Sequence, residues 1–383
     1  MSEVIAMKDN RSLLLVLLVL TFLLTLLTIF VVAEGGVPSV SARSSVLFEP
    51  ITNTFVFENN ANERRPMAST TKIMTALLAI ENCNLDDRVT IPKEATGIEG
   101  SSIYLKVGDV ISIRDLIYSV LLQSANDAAT ALAIEISGDE KSFADLMNAR
   151  AKAIGLNDTC FENPHGLDSQ NHYTTAHDLA LLASEALKNN TFKEICSTKK
   201  YTFSISDSQR TIFNHNKLLK LFDGATGVKT GYTDKSGRCL VSSALRNGIT
   251  LICVTLNAPD DWNDHSKLLE AGYDEFECVA ISEIAPIEFR IPVENGTEGF
   301  IVASVNYSDL LIPHLKSDAP LHAEVNIKQT VTAPVKKDDI VGTVSIYCGD
   351  KFITEYNVTA TNSINANKHK IKFSDFFKIT FME

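Results

Sequence analysis

In the stretch RRPMASTTKIMTALLAI (residues 64–80) a serine stands three places before a lysine, at the mouth of an apolar helix. Positions i and i+3 share a helical face, so the Ser69 hydroxyl and the Lys72 amine can meet. A serine in a first helical turn also has a backbone N–H without an intrahelical partner, which can stabilise an oxyanion. To accept the serine's proton Lys72 must be neutral, and that calls for burial or a second nearby cation. Ile73, Met74, Leu77 and Leu78 supply apolar surroundings. Taken alone the spacing recurs by chance in many chains, so the other parts of a site decide what it means.

Two further triplets supply such parts. Ser124-Ala125-Asn126 falls where one helical pattern breaks and another starts, so its side chains can leave a turn and face a cleft. Lys229-Thr230-Gly231, in GATGVKTGYTDKSG, precedes an Asn-Gly hairpin signal as a strand bordering a groove would. Singly, the first reads as a helix cap and the second as a strand end. Together with Ser69 and Lys72 they offer a nucleophile, a base, a second hydroxyl, a second cation and an amide.

The elements that must position these groups follow from the pattern. SARSSVLFEP and ITNTFVFENN read as two strands with a turn near Glu49-Pro50. SIRDLIYSVLLQSANDAATALAIEISGD reads as two helices broken around Gln123 to Asn126, with a capping box at Ser112 and Asp115 and a stop at Gly138. Residues 140–190 read as mostly helical. GRCLVSSALRNGITLICVTLNA is two apolar runs joined by Asn247-Gly248, and DHSKLLEAGYDEFE restores one helix. From Ile281 to Thr361 short strands and turns take over. The expected fold is a mixed α/β body, an antiparallel sheet with a helical subdomain over residues 38–276, followed by a small all-β domain over 281–361.

The chain of 383 residues carries a net charge of −12 with no offsetting basic stripe, which argues against a nucleic-acid partner. Lys8 and Arg11 precede an uncharged apolar run from Ser12 to Ala33, the layout of an export signal. Residues 1–33 are read as a cleaved signal, with an uncleaved membrane anchor as the alternative. Both readings put the body outside the cytoplasm. The seven cysteines are scattered without C-x-x-C spacing, and are read as small buried hydrophobes rather than metal ligands or disulfides. In the closing segment 367–383, Phe373, Phe376, Phe377 and Phe381 share one side of a helical projection, as in a helix lying in a membrane interface. An edge strand is the alternative, since Phe377, Ile379 and Phe381 also alternate.

The order S-x-x-K, S-x-N, K-T-G is the motif set of penicillin-binding proteins and class A β-lactamases. With GSSIYLKVGD, LLQSANDAATALA, NPHGLDSQNHYTTAHDLA and GVKTGYTDKSGRCLVSSA, the chain resembles the low-molecular-mass penicillin-binding proteins, serine-type D-Ala-D-Ala carboxypeptidases of peptidoglycan. The likeness is close over about residues 40–275, and the trailing β domain and amphipathic end are features of the same family. It implies a β-lactamase/transpeptidase-like fold and an exported enzyme at the extracytoplasmic face of the bacterial membrane. Its partners would be peptidoglycan stem peptides, β-lactams as covalent inhibitors and the membrane surface.

Carried over, Ser69 is the nucleophile, Lys72 its base and Ser124 a proton relay to the leaving amine. Asn126 holds the substrate's amide, Lys229 keeps Lys72 neutral and anchors substrate, and Thr230 bonds the terminal carboxylate. The N–H groups of Ser69 and Tyr232 form the oxyanion hole, and Gly231 keeps the strand clear for the substrate. No metal or cofactor is required by that route. The resemblance has one gap. NAPDDWNDHSKLL offers no arginine where some relatives pair one with the substrate carboxylate, and Arg238 stands as a possible substitute. His165 and Trp262 are read as a structural histidine and a rim residue, and Glu162 is given no deacylating role. A β-lactamase, a D,D-endopeptidase and a non-turnover penicillin sensor are the competing readings.

Overall fold

Every residue of the strand Ser44–Glu49 (β1) is buried, because the sheet to which it belongs is covered on both faces. Alternate side chains separate cleanly: Val46 and Phe48 enter one core cluster and Leu47 the other. The computed structural model describes residues 38–206, 208–305 and 311–367. The segment 1–33, and all of 367–383 beyond its first residue, lie outside them.

β1, Thr54–Asn59 (β2), Ala225–Thr233 (β3), Gly237–Arg246 (β4) and Ile249–Leu256 (β5) form a five-stranded antiparallel sheet in the order β2-β1-β5-β4-β3. The β4–β5 turn is Asn247-Gly248 with both φ values positive, 50° and 85°, as such a tight hairpin needs. One face carries Lys72–Asn82 (α1), Ile113–Leu122 (α2), Asn126–Ser137 (α3), Glu140–Ile154 (α4) and Ala176–Leu187 (α5). The other carries Asp261–Glu275 (α6), brought close by Gly272, where a Cβ would lie 2.4 Å from Leu47 Cδ2. The Ser112 hydroxyl accepts the Asp115 N–H at 3.0 Å to cap α2, and Gly138 ends α3 with φ 85°.

The stretch 140–190 is helical at both ends, as α4 and α5, with a long loop between them. Residues 155–175 are an irregular loop between α4 and α5. Gly155 turns left-handed (φ 91°) and ends α4, and the Asn163 carboxamide oxygen then takes the N–H groups of His165 and Gly166. That oxygen offers the loop a local partner in place of a helical carbonyl.

After α6, the strand Phe276–Ala280 pairs antiparallel with Leu311–Leu315. A six-stranded sheet follows, built from Glu288–Glu294, Phe300–Ser304, Leu321–Ile327, Val331–Thr332, Ile340–Cys348 and Lys351–Ala360. Phe289, Ile291 and Val293 alternate inward, with exposed Arg290 and Pro292 between them, onto a core of their own. Lys351 Nζ donates to the Thr52 carbonyl at 2.7 Å, joining this sheet to the β1–β2 turn. All seven cysteines are free thiols. Cys196, Cys239 and Cys253 are buried as expected, whereas Cys83, Cys160, Cys278 and Cys348 are only partly covered. Among the described residues no helix is long and apolar enough to cross a membrane.

Candidate active site

Ser69 lies in a tight 3-10 turn, Ala68–Thr71, and the α-helix proper begins at Lys72. The turn is strained: Ala68 has φ 48°, where a Cβ crowds its own backbone. A set of hydrogen bonds holds it. Thr70 Oγ1 donates to the Met67 carbonyl at 2.6 Å and Thr71 Oγ1 to the Ala68 carbonyl at 2.8 Å. His172 Nδ1 accepts the Glu162 N–H at 3.0 Å, so its proton sits on Nε2 and is donated to Thr71 Oγ1 at 2.7 Å. Gly166 (φ 89°) closes the cradle, since a Cβ there would lie 1.9 Å from the Ala68 oxygen. Burial lowers the His172 pKa to about 4 and keeps the ring neutral.

Lys72 has no exposed surface. Its Nζ lies 2.9 Å from Ser69 Oγ, 2.6 Å from Asn126 Oδ1 and 2.5 Å from the His165 carbonyl. Burial first, then the charge of Lys229, push its pKa well below that of an ordinary lysine. A neutral amine has two N–H bonds and one lone pair. Asn126 Oδ1 and the His165 carbonyl can take both N–H bonds, which leaves the lone pair for the Ser69 hydroxyl. The imidazole of His165 takes no part in this. Its Nδ1 accepts the Leu167 N–H at 3.2 Å, and burial lowers its pKa to about 3.

Ser124 occupies the break between α2 and α3 with φ 61°, and with Ser69 and Ser101 it lines a cleft of about 320 Å³. Asn126 sits beneath that cleft and is committed at both ends of its carboxamide, Oδ1 to Lys72 and Nδ2 to the Glu99 carbonyl at 2.5 Å. Gly100 makes room, for a Cβ there would meet Nδ2 at 2.9 Å. The buried Asp127 carboxylate accepts Ser102 Oγ and the N–H groups of Ile103 and Leu105, pinning the loop that carries Ser101.

β3 forms the opposite wall. Lys229 is buried, its Nζ donates to the Thr230 carbonyl at 3.0 Å, and burial brings its pKa down to about 7. A Cβ on Gly231 would stand 3.0 Å from the Ser69 nitrogen, so a glycine here lets the strand press against the nucleophile's turn without displacing it. Thr230, Gly231 and Tyr232 line the cleft, together with His215, Lys217, Arg238, Asp261 and Trp262. The structure thus brings Ser69, Ser124, Thr230, Gly231 and Tyr232 to one opening, with Lys72, Asn126 and Lys229 just below it. Glu162 is absent from the cleft lining. Its carboxylate accepts the Ser169 hydroxyl and the Asn171 N–H instead.

The family model described as D-alanyl-D-alanine carboxypeptidase (peptidase S11) matches residues 32–260. The chain belongs to this family. A second model, Penicillin-binding protein 5, C-terminal domain, matches residues 288–366. The D-alanyl-D-alanine carboxypeptidase DacF of Bacillus subtilis (strain 168) is 31% identical over 349 residues, spanning 88% of this chain and 89% of that protein. DacC of Escherichia coli (strain K12) is 34% identical over 90% and 89% of the two chains. Among solved structures, the carboxypeptidase DacD from Francisella tularensis superposes with a TM-score of 0.62 at 30% identity, covering 87% of this chain and 96% of that one. Penicillin-binding protein 5 from Haemophilus influenzae gives a TM-score of 0.63 at 28% identity, over 86% and 99%. The chain is accordingly a low-molecular-mass penicillin-binding protein and a serine-type carboxypeptidase. Its fold is the expected one, a transpeptidase-like body with a C-terminal β domain.

Sequence reasoning passed over several residues that shape the site. The His165 contribution is a backbone carbonyl, which side-chain chemistry does not advertise. Thr71 and His172 act through the Ala68 carbonyl, and only the glycine of NPHG, at a loop position needing positive φ, hinted that this loop meets the helix start. Asp127 lies in α3 as expected, and nothing in the sequence signals that its carboxylate clamps the neighbouring loop.

Proposed function

We propose that the enzyme removes the terminal D-alanine from peptidoglycan pentapeptide stems through an acyl-enzyme on Ser69. Lys72, neutral, takes the Ser69 proton as Oγ attacks the penultimate D-Ala carbonyl. The backbone N–H groups of Ser69 and Tyr232 receive the oxyanion. Ser124 passes a proton to the departing amine of D-alanine, and water then hydrolyses the ester. Lys229 disfavours a charge on Lys72 and anchors substrate, Thr230 bonds its carboxylate, and Asn126 orients Lys72 through Oδ1 while the second N–H of its Nδ2 meets the substrate's amide carbonyl. β-Lactams follow the same attack and remain bound as inhibitors. The observation that carries this reading is the Lys72 amine, buried, with two fixed acceptors and Ser69 Oγ at 2.9 Å.

The same reading puts the body at the extracytoplasmic face of the membrane. It is supported by the basic start, the apolar run to Ala33 and the phenylalanine-rich segment 367–383. Deleting 367–383 should release the enzyme from anionic lipid vesicles, and retained binding would remove that part of the reading.

The test of activity is D-alanine release from an acyl-D-Ala-D-Ala pentapeptide and from a cross-linked stem dimer. Release from the free stem, absent in Ser69→Ala, is the expected result. Cleavage of the cross-link alone would make the enzyme an endopeptidase, and rapid hydrolysis of benzylpenicillin would make it a β-lactamase.

A further inference from the structure

The first turn of α6 borders the cleft, since Asp261 and Trp262 both line it. Asp261 also accepts two N–H groups of Arg238, at 3.0 and 2.6 Å, which ties that turn to β4. The helix has no cap of its own. Asp260 occupies the N-cap position, but its carboxylate accepts the Asn263 carboxamide at 2.8 and 3.0 Å and makes no capping hydrogen bond. The cap comes instead from Ser41, 219 residues earlier and just ahead of β1. Ser41 Oγ accepts the Asp260 N–H at 3.0 Å, and its hydroxyl donates to Asp264 Oδ2 at 2.7 Å. The Ser41 N–H is shared between the two Asp264 oxygens, at 2.9 and 3.0 Å. This is the exchange of a capping box, with the serine supplied by a distant part of the chain. Asp264 is buried, 2% exposed, and its side-chain donors among the described residues both belong to Ser41.

Two stretches have the small-residue form that export processing favours, Val31-Val32-Ala33 and Val40-Ser41-Ala42. Cutting after Ala33 keeps Ser41. Cutting after Ala42 removes it, uncaps α6 and leaves the buried Asp264 carboxylate without those donors, a costly state for a charged group. We propose that Ser41 remains on the mature enzyme as the cap of α6 and positions the Asp261–Trp262 side of the cleft, so that processing is confined to sites ahead of it. The processing half rests on the exported reading above, whereas the cap does not depend on it. Ser41 is a positioning residue, because its bonds reach the cleft only through the start of α6. Losing the cap lowers the fraction of molecules whose cleft wall is ordered for substrate, and apparent KM rises by the inverse of that fraction. The Ser69–Lys72 pair is untouched, so turnover of bound substrate is preserved.

The experiment expresses the full chain in an exporting bacterial host as wild type, Ser41→Ala and Ser41→Thr. On an acyl-D-Ala-D-Ala peptide, Ser41→Ala should raise KM by about 3–10-fold with kcat little changed, the factor expected for loss of one helix cap. Its melting temperature should fall by about 3–6 °C. Trp262 is the only tryptophan of the chain and sits in the uncapped turn, so its emission should shift as well. Ser41→Thr keeps the hydroxyl and the N–H and should restore KM and emission. An unchanged KM in Ser41→Ala, a loss confined to kcat, or a threonine variant no better than alanine would overturn the positioning role. Emission and melting need no turnover, so they judge the cap separately from the activity. Intact mass of the purified wild type tests the processing: a chain starting at or before Ser41 is expected, and one starting at Arg43 would overturn the proposal. A chain that still carries residues 1–33 would remove the cleaved-signal reading while leaving Ser41 in place.

Discussion

Replacing Asn126 by aspartate changes one atom's chemistry at the most sensitive point of the site. Asn126 Oδ1 lies 2.6 Å from Lys72 Nζ. A carboxylate there would interact with an ammonium by about 6 kcal/mol at an effective dielectric of about 20. At 1.36 kcal/mol per pKa unit, that raises the Lys72 pKa by about 4 units. The wild-type amine is held well below the ordinary lysine range. The aspartate variant returns it toward that range, so at neutral pH the base is occupied by a proton. Asn126→Ala removes the acceptor without adding charge and leaves Lys72 neutral. Stopped-flow acylation by benzylpenicillin, measured from pH 6 to 10, separates the two. At pH 7.5 Asn126→Asp should acylate more slowly than Asn126→Ala, by up to ~100-fold if half of that Coulomb term is expressed. The gap should close as pH rises and Lys72 deprotonates. If the two variants acylate at equal rates at pH 7.5, or if the gap persists unchanged to pH 10, Lys72 is not acting as a neutral base.

Three further outcomes follow from the cradle and the buried histidines. Gly166→Ala, with a Cβ 1.9 Å from the Ala68 oxygen at φ 89°, should cost about 3 kcal/mol of stability and abolish acylation; an unchanged melting temperature would mean the loop does not hold the nucleophile's turn. Thr71→Val keeps the shape but orphans the Ala68 carbonyl and the His172 Nε2–H, so it should lose about 2 kcal/mol and slow acylation without altering the pH profile. His165, His172 and His265 are buried, with pKa values lowered by burial to about 3, 4 and 3 from an ordinary 6.5. The unfolded chain therefore takes up protons below pH 6.5 that the folded protein refuses. Stability is full above pH 6.5 and falls below it, by up to about 2 kcal/mol per histidine at pH 5. Denaturant unfolding at pH 7 and pH 5 checks this, and equal midpoints would contradict it.

Much of this architecture was legible in the residues because it depends on local chemistry. Asn247-Gly248 specifies its own turn, Ser112 caps α2 through a side chain three residues from its target, and the break at Ser124 appears as a lapse in helical period. The three motifs declared themselves only as an ordered set, since each one singly recurs by chance. What stayed hidden depends on backbone meeting backbone across long separations. The His165 carbonyl reaches Lys72 across 93 residues, and any residue type could supply that oxygen. Residues 140–190 read as mostly helical, with Glu162 in a loop between helices, but the composition does not reveal how far that loop extends; its course is decided by Asn163 and two glycines. Asn126 looked like a substrate ligand from the motif alone. Its bond to Lys72 emerged only when α3 and α1 were packed side by side.

The most direct test of the Ser69–Lys72 assignment is intact-mass spectrometry of the enzyme after exposure to benzylpenicillin, with peptide mapping of the adduct. A mass increase of one drug molecule on Ser69, absent from Ser69→Ala and slowed in Lys72→Met, is the predicted result. An adduct on another residue, or no adduct in wild-type protein that is otherwise folded, would contradict it.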